Sequence, residues 1–123
     1  MNLVIDIGNT RVKIGFFEAG ELTKLLILAH ENFQQEFAEL LLADDLGAAV
    51  QYIGSASVGN RESAKAVGEV LVEWPEIHWL RIGPETDLPV KNGYGTPQTL
   101  GMDRICAGVG AWKRIGQGPL LVI

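Results

Sequence analysis

The stretch NLVIDIGNTRVKIGFFEAGELTKLLIL, residues 2–28, decides the fold. It divides into three short apolar-rich runs, Asn2 to Ile7, Arg11 to Phe17 and Glu21 to Leu28. The joints, Gly8-Asn9-Thr10 and Glu18-Ala19-Gly20, are so short that the runs read as neighbouring antiparallel strands. If Asn9-Thr10 is a two-residue hairpin loop, Gly8 faces Arg11, Ile7 faces Val12, and Asp6 faces Lys13 on one side of the sheet.

Beyond residue 30 the apolar period changes. Phe33, Phe37, Leu40 and Leu41 recur at helical spacing, which predicts a helix from about Asn32, an N-cap with Gln35 three residues on. Asp44 and Asp45 sit badly at the end of that helix. Ala48 to Ser55 predicts a buried fourth strand. Asn60 to Trp74 predicts a second helix with Ala64, Val67, Leu71 and Trp74 on one face, stopped by Pro75. A fifth strand, Ile77 to Ile82, leads into a loop from Gly83 to Gly95; long loops in compact domains are often functional. A third helix runs from near Gly101 to Arg114 with Ile105, Val109 and Trp112 inward. Residues 119–123 read as a buried-type sixth strand whose faces need more chain, so the expectation is one lobe over 1–118 and the first strand of a truncated second lobe over 119–123.

The expected fold is therefore α/β, in the order β-β-β-α-β-α-β-α, with a mixed sheet and helices on its faces. That order is found in the ribonuclease H-like fold, shared by actin-like ATPases and sugar kinases. Order does not fix chemistry, which must come from particular residues.

Bulk composition narrows the classes. With 123 residues, 47% of them hydrophobic, the chain can bury a core as one domain. The formal net charge of -5 is the wrong sign for a protein held on a phosphate backbone, so nucleic acid is not expected as a partner. The apolar start has no basic flank and Asp6 interrupts it, so neither a secretory leader nor a membrane span is expected, and the protein is read as cytoplasmic. Cys106 is the only cysteine. With His30 and His78 as the only histidines, a zinc cluster is not expected, and Cys106 reads as a helix packing residue.

Two segments carry candidate chemistry. Asp6 comes near the end of a strand with apolar groups on both faces, where a carboxylate is costly unless something binds it. An acid able to hold hydrated magnesium, a glycine that lets backbone N–H groups approach, a threonine hydroxyl and a lysine together suit a polyphosphate. The same residues also fit a plain turn, with Asp6 forming an Asx-turn and Lys13 a solvated charge. The second segment, Tyr94-Gly95-Thr96-Pro97-Gln98-Thr99-Leu100-Gly101-Met102-Asp103-Arg104, converges on a helix start. Asp103 there suits the macrodipole without any further role, whereas Arg104 has the wrong sign. An anionic ligand in a forked hydrogen bond would account for the arginine, as would an ion pair with a nearby acid.

Both segments resemble the motifs of type III pantothenate kinases, members of the actin-like kinase superfamily. Asp6-Ile7-Gly8-Asn9-Thr10-Arg11-Val12-Lys13 is similar to that family's first phosphate motif, which implies an ATP site with Asp6 holding magnesium through water. Tyr94, Gly101, Met102, Asp103 and Arg104 match the pantothenate-binding motif, which implies Asp103 as general base and Arg104 as substrate ligand. The resemblance further implies ATP-dependent phosphorylation of pantothenate to 4'-phosphopantothenate, the first step toward coenzyme A, by a homodimer. It also implies a monovalent cation, potassium or ammonium, on an aspartate expected just after Ile123. That aspartate and the second lobe are not in this sequence, so the chain alone is expected to be inactive.

Two rivals remain at this level. A ribonuclease H-like nuclease needs a second metal-binding carboxylate where this chain reads Gly54-Ser55-Ala56-Ser57. A non-catalytic transcriptional accessory protein related to these kinases has no need of Asp6, Lys13, Asp103 and Arg104, all of which are present.

Overall fold

Alternation along the first strand sets the layers. In the computed structural model, which describes residues 1–122, Leu3, Ile5 and Ile7 are buried while Asn2, Val4 and Asp6 lie on the opposite face. β1 (Asn2–Ile7), β2 (Arg11–Glu18) and β3 (Glu21–Ala29) form two successive hairpins. Ile7 pairs with Val12 and Asp6 with Lys13, the register a two-residue loop demands. The second hairpin turns on Ala19 and Gly20, at φ 51° and 85°. Positive φ at both positions matches the turn to the right-handed twist of its strands.

After β3 come α1 (Phe33–Leu42) and the single turn α2 (Leu46–Ala49). β4 (Tyr52–Ser57) then pairs parallel to β1, and β5 (His78–Ile82) parallel to β4. Parallel neighbours need a crossover, which α3 (Arg61–Leu71) supplies. The sheet is mixed, in the order β3-β2-β1-β4-β5. Phe33, Phe37 and Leu41 of α1, with Ala66, Val67 and Val70 of α3, bury the face carrying Leu3, Ile5 and Ile7. α4 (Met102–Ile115) meets the sheet chiefly at β4. Among the described residues no helix is long and apolar enough to cross a membrane.

The elements depart from expectation at several places. Asn32 takes the N-cap position of α1 but makes no side-chain bond there, and Gln35 instead donates to Glu39 Oε1 at 2.8 Å. β4 begins at Tyr52 rather than Ala48, because residues 46–49 close a helical turn. The reversal before it uses Asp44 and Asp45 at φ 50° and 56°, a region aspartate tolerates better than most side chains. α3 stops at Leu71, ahead of the backbone restriction that Pro75 places on Trp74. Ala64 and Trp74 are only half-buried. Trp112 is 45% exposed rather than inward, and Ile105 and Val109 are half-buried, since Met102 alone on α4 reaches a fully buried position. Residues 119–122 form neither strand nor helix, so the expected sixth strand has no ladder there; Ile123 lies outside the described residues.

Candidate active site

Strand alternation puts Asp6 and Lys13 side by side on the face of the sheet opposite the core. Lys13 Nζ lies 3.8 Å from Asp6 Oδ2, with the two side chains 53% and 40% exposed. A pair this long and this wet adds little stability and leaves both groups free for a ligand. The Gly8 N–H donates to the Arg11 carbonyl at 3.0 Å, closing the turn. A side chain on Gly8 would meet that same oxygen at 3.2 Å. Asn9 and Thr10 are exposed, and among the described residues neither N–H has a backbone partner. Ile7 and Val12 bury their side chains in the core, so in this segment they can offer only backbone. Arg11 is exposed at the start of β2.

Contacts that no motif announces hold the turn in place. The Ile7 carbonyl accepts from the Val58 N–H at 3.0 Å. His30 Nε2 lies 3.0 Å from the Gly8 carbonyl and Nδ1 2.7 Å from Ser63 Oγ. Sequence spacing hides His30, which stands 22 residues from Gly8. The available signal was strand register: Arg11 pairs with Ala29, so residue 30 falls beside the loop that precedes Arg11.

The second cluster is built on the start of α4. Gly101 is its N-cap residue, and Asp103 Oδ1 accepts the Arg104 N–H at 2.9 Å. A side chain on Gly101 would collide with that carboxylate oxygen. Asp103 and Arg104 are exposed, and among the described residues the Arg104 guanidinium makes no ion pair. Met102 and Gly101 line a cleft of about 840 Å³ that runs under the loop at residues 83–92. Tyr94, 52% exposed, lines an adjoining cavity of about 470 Å³ with Leu100, Ile105 and Gly108. Neither Asp6 nor Lys13 lines either space.

The two clusters nevertheless occupy one end of the sheet. Val58, bonded to Ile7, also packs within 3.6 Å of where a Gly101 side chain would begin. This is the carboxyl end of the parallel strands β1 and β4, the usual ligand end in open α/β sheets. Half-buried Cys106, one turn into α4, reads both carboxylates. Its thiol is pushed above the ordinary value by burial first, then by the negative charges of Asp6 and Asp103. Removing either charge makes the thiolate easier to form. Asp6→Asn and Asp103→Asn are each expected to speed alkylation of Cys106 by iodoacetamide at mildly alkaline pH, followed by mass spectrometry. An unchanged rate in Asp6→Asn would separate the hairpin from α4.

Among the described residues no group of three or more His, Cys, Asp or Glu could hold a metal ion. The donors present, one half-exposed carboxylate beside free backbone N–H groups, fit hydrated magnesium shared with a polyphosphate better than a caged metal.

Comparison with known proteins bears on both clusters at once. Residues 2–123 match the family model of type III pantothenate kinase. The type III pantothenate kinase of Cytophaga hutchinsonii is 37% identical over 113 residues, covering 90% of this chain and 42% of that one. That of Flavobacterium psychrophilum is 32% identical over 100% of this chain and 48% of its own, and that of Aquifex aeolicus 30% over 98% and 45%. The chain spans about half the length of the curated relatives it matches. Because one family model runs unbroken through the hairpin, the crossover and the start of α4, the chain belongs to the type III pantothenate kinase family.

Proposed function

We propose that the complete protein phosphorylates pantothenate with ATP in the cytoplasm, and that this chain is its N-terminal lobe, of the ribonuclease H-like, actin-like ATPase type. The observation that carries this reading is the placement of Asp6 with Lys13, and of Asp103 with Arg104, at one end of the sheet, on segments that both adjoin Val58. An acid and a lysine beside unpaired N–H groups suit the phosphates of ATP. A carboxylate and a guanidinium at a helix start suit a hydroxy acid.

In this reading Lys13 and the N–H groups of Asn9 and Thr10 hold the phosphates. Asp6 would hold magnesium through water, and the ion, when bound, would supply charge neutralisation at the phosphates. Arg104, Tyr94, Gly101 and Met102 hold pantothenate, whose carboxylate pairs with the guanidinium. Asp103 takes the proton of the primary hydroxyl as that oxygen bonds to the γ-phosphorus, and the bond to the ADP oxygen breaks. Catalysis of this kind rests on positioning and electrostatics. A homodimer and a monovalent cation, potassium or ammonium, belong to the same reading, as does the expectation that this chain alone does not turn over.

Calorimetric titration of the complete protein with pantothenate, with and without ATP and magnesium, tests it. Saturable pantothenate binding that is lost in Arg104→Ala is expected, with ADP released when both substrates are present. Binding of nucleotide without turnover would favour a non-catalytic accessory role, and binding of neither would reduce the domain to a structural one.

A further inference from the structure

We infer that His30 is a positioning residue that aims the Asn9 N–H at the bound anion; the inference rests on the ATP reading of the hairpin given above. It begins with the peptide between Gly8 and Asn9. That peptide is trans and planar, so its carbonyl and its N–H point in opposite directions. A carbonyl oxygen can only accept, so His30 Nε2 must carry the hydrogen in the 3.0 Å contact to Gly8. In the neutral ring Nδ1 then accepts from the Ser63 hydroxyl at 2.7 Å.

Ser63 is itself anchored. It is buried at 4% exposure in the first turn of α3, and its N–H donates to the Asn60 side chain at 2.8 Å. The direction of the Gly8 carbonyl is therefore tied through His30 to the start of a core-packed helix. Asn9 N–H points the other way, outward from that support. Gly8 has no Cβ to resist a peptide flip, so this restraint must come from outside the turn. The Asn9 side chain adds to it, lying so close over Gly59 that a Cβ there would sit 2.6 Å from its Oδ1. The glycine that lets a phosphate approach is thus kept in one orientation by an imidazole on the carbonyl side of the peptide, opposite the Asn9 N–H.

The test uses steady-state kinetics of the complete enzyme. His30→Ala is expected to raise KM for ATP about tenfold, the equivalent of one lost aligning hydrogen bond, while KM for pantothenate stays within about twofold. His30→Gln, whose amide nitrogen can donate to the Gly8 carbonyl, should recover most of the loss. An unchanged KM for ATP in His30→Ala, or a Gln variant no better than Ala, would overturn the assignment. If His30→Ala does not fold, Ser63→Ala is read by the same criteria, since it removes only the hydroxyl that orients the ring. Should the wild-type protein show no ATP-dependent phosphorylation, the kinase reading falls, and hydrogen exchange at the Gly8 amide decides the clamp alone. Faster exchange in His30→Ala keeps the clamp, and equal rates remove it.

Discussion

Asp103→Asn in the complete enzyme is expected to lower kcat by about a hundred- to ten-thousandfold, the usual cost of losing a general base. The substitution is nearly isosteric and tests the proton rather than the shape. Asparagine retains an oxygen to accept the Arg104 N–H, now bonded to Asp103 Oδ1 at 2.9 Å. Asp103 is exposed, so no buried network is broken and the helix start should stay formed. KM for ATP should change little, because the phosphate segment lies on another element. Stopped assays for phosphopantothenate, with circular dichroism as the control on folding, separate the outcomes. Near-normal turnover with a native spectrum would move the proton acceptor elsewhere. A loss of spectrum would show that the carboxylate serves the N-terminus of α4 through the macrodipole instead.

The first hairpin was legible because two independent constraints agree there. Alternation assigns Leu3, Ile5 and Ile7 to one face, and a two-residue loop then permits only the register that pairs Asp6 with Lys13. Where a single constraint acted, reading failed. The apolar residues 46–49 fit a strand as well as a helical turn, and only the left-handed backbone at Asp44 and Asp45 selects the turn. Helical spacing predicted α4 itself, yet spacing cannot say whether anything covers its apolar stripe, and Trp112 stands exposed. Both candidate segments stand out by residue type. The route between them was not legible, because it passes through Val58, a loop residue that bonds Ile7 and lies beside Gly101. His30 was hidden for the same reason: its partners Gly8 and Ser63 come together only once β3 and α3 are docked.

That docking depends on α1, and Phe37→Ala is expected to remove about 3–5 kcal/mol of stability, against the roughly 5–15 kcal/mol that holds a typical domain folded. Phe37 is fully buried and its ring stacks on Phe33 with centroids 5.5 Å apart and planes 10° apart. It belongs to the cluster that joins α1 to α3 and to the inner face of β1. Truncation leaves a cavity that rigid neighbours fill only in part, so the cost exceeds simple transfer of the lost atoms. Urea denaturation should show a lower midpoint with an unchanged slope. Trp112→Ala, at an exposed site on α4, should stay within about 0.5 kcal/mol of the parent. The comparison also bears on the clamp. Where the Phe37→Ala protein remains folded, Ser63 still holds His30, and KM for ATP should be that of the parent. A KM raised as far as in His30→Ala would mean that α1 packing, rather than the imidazole, sets the direction of the Gly8 carbonyl.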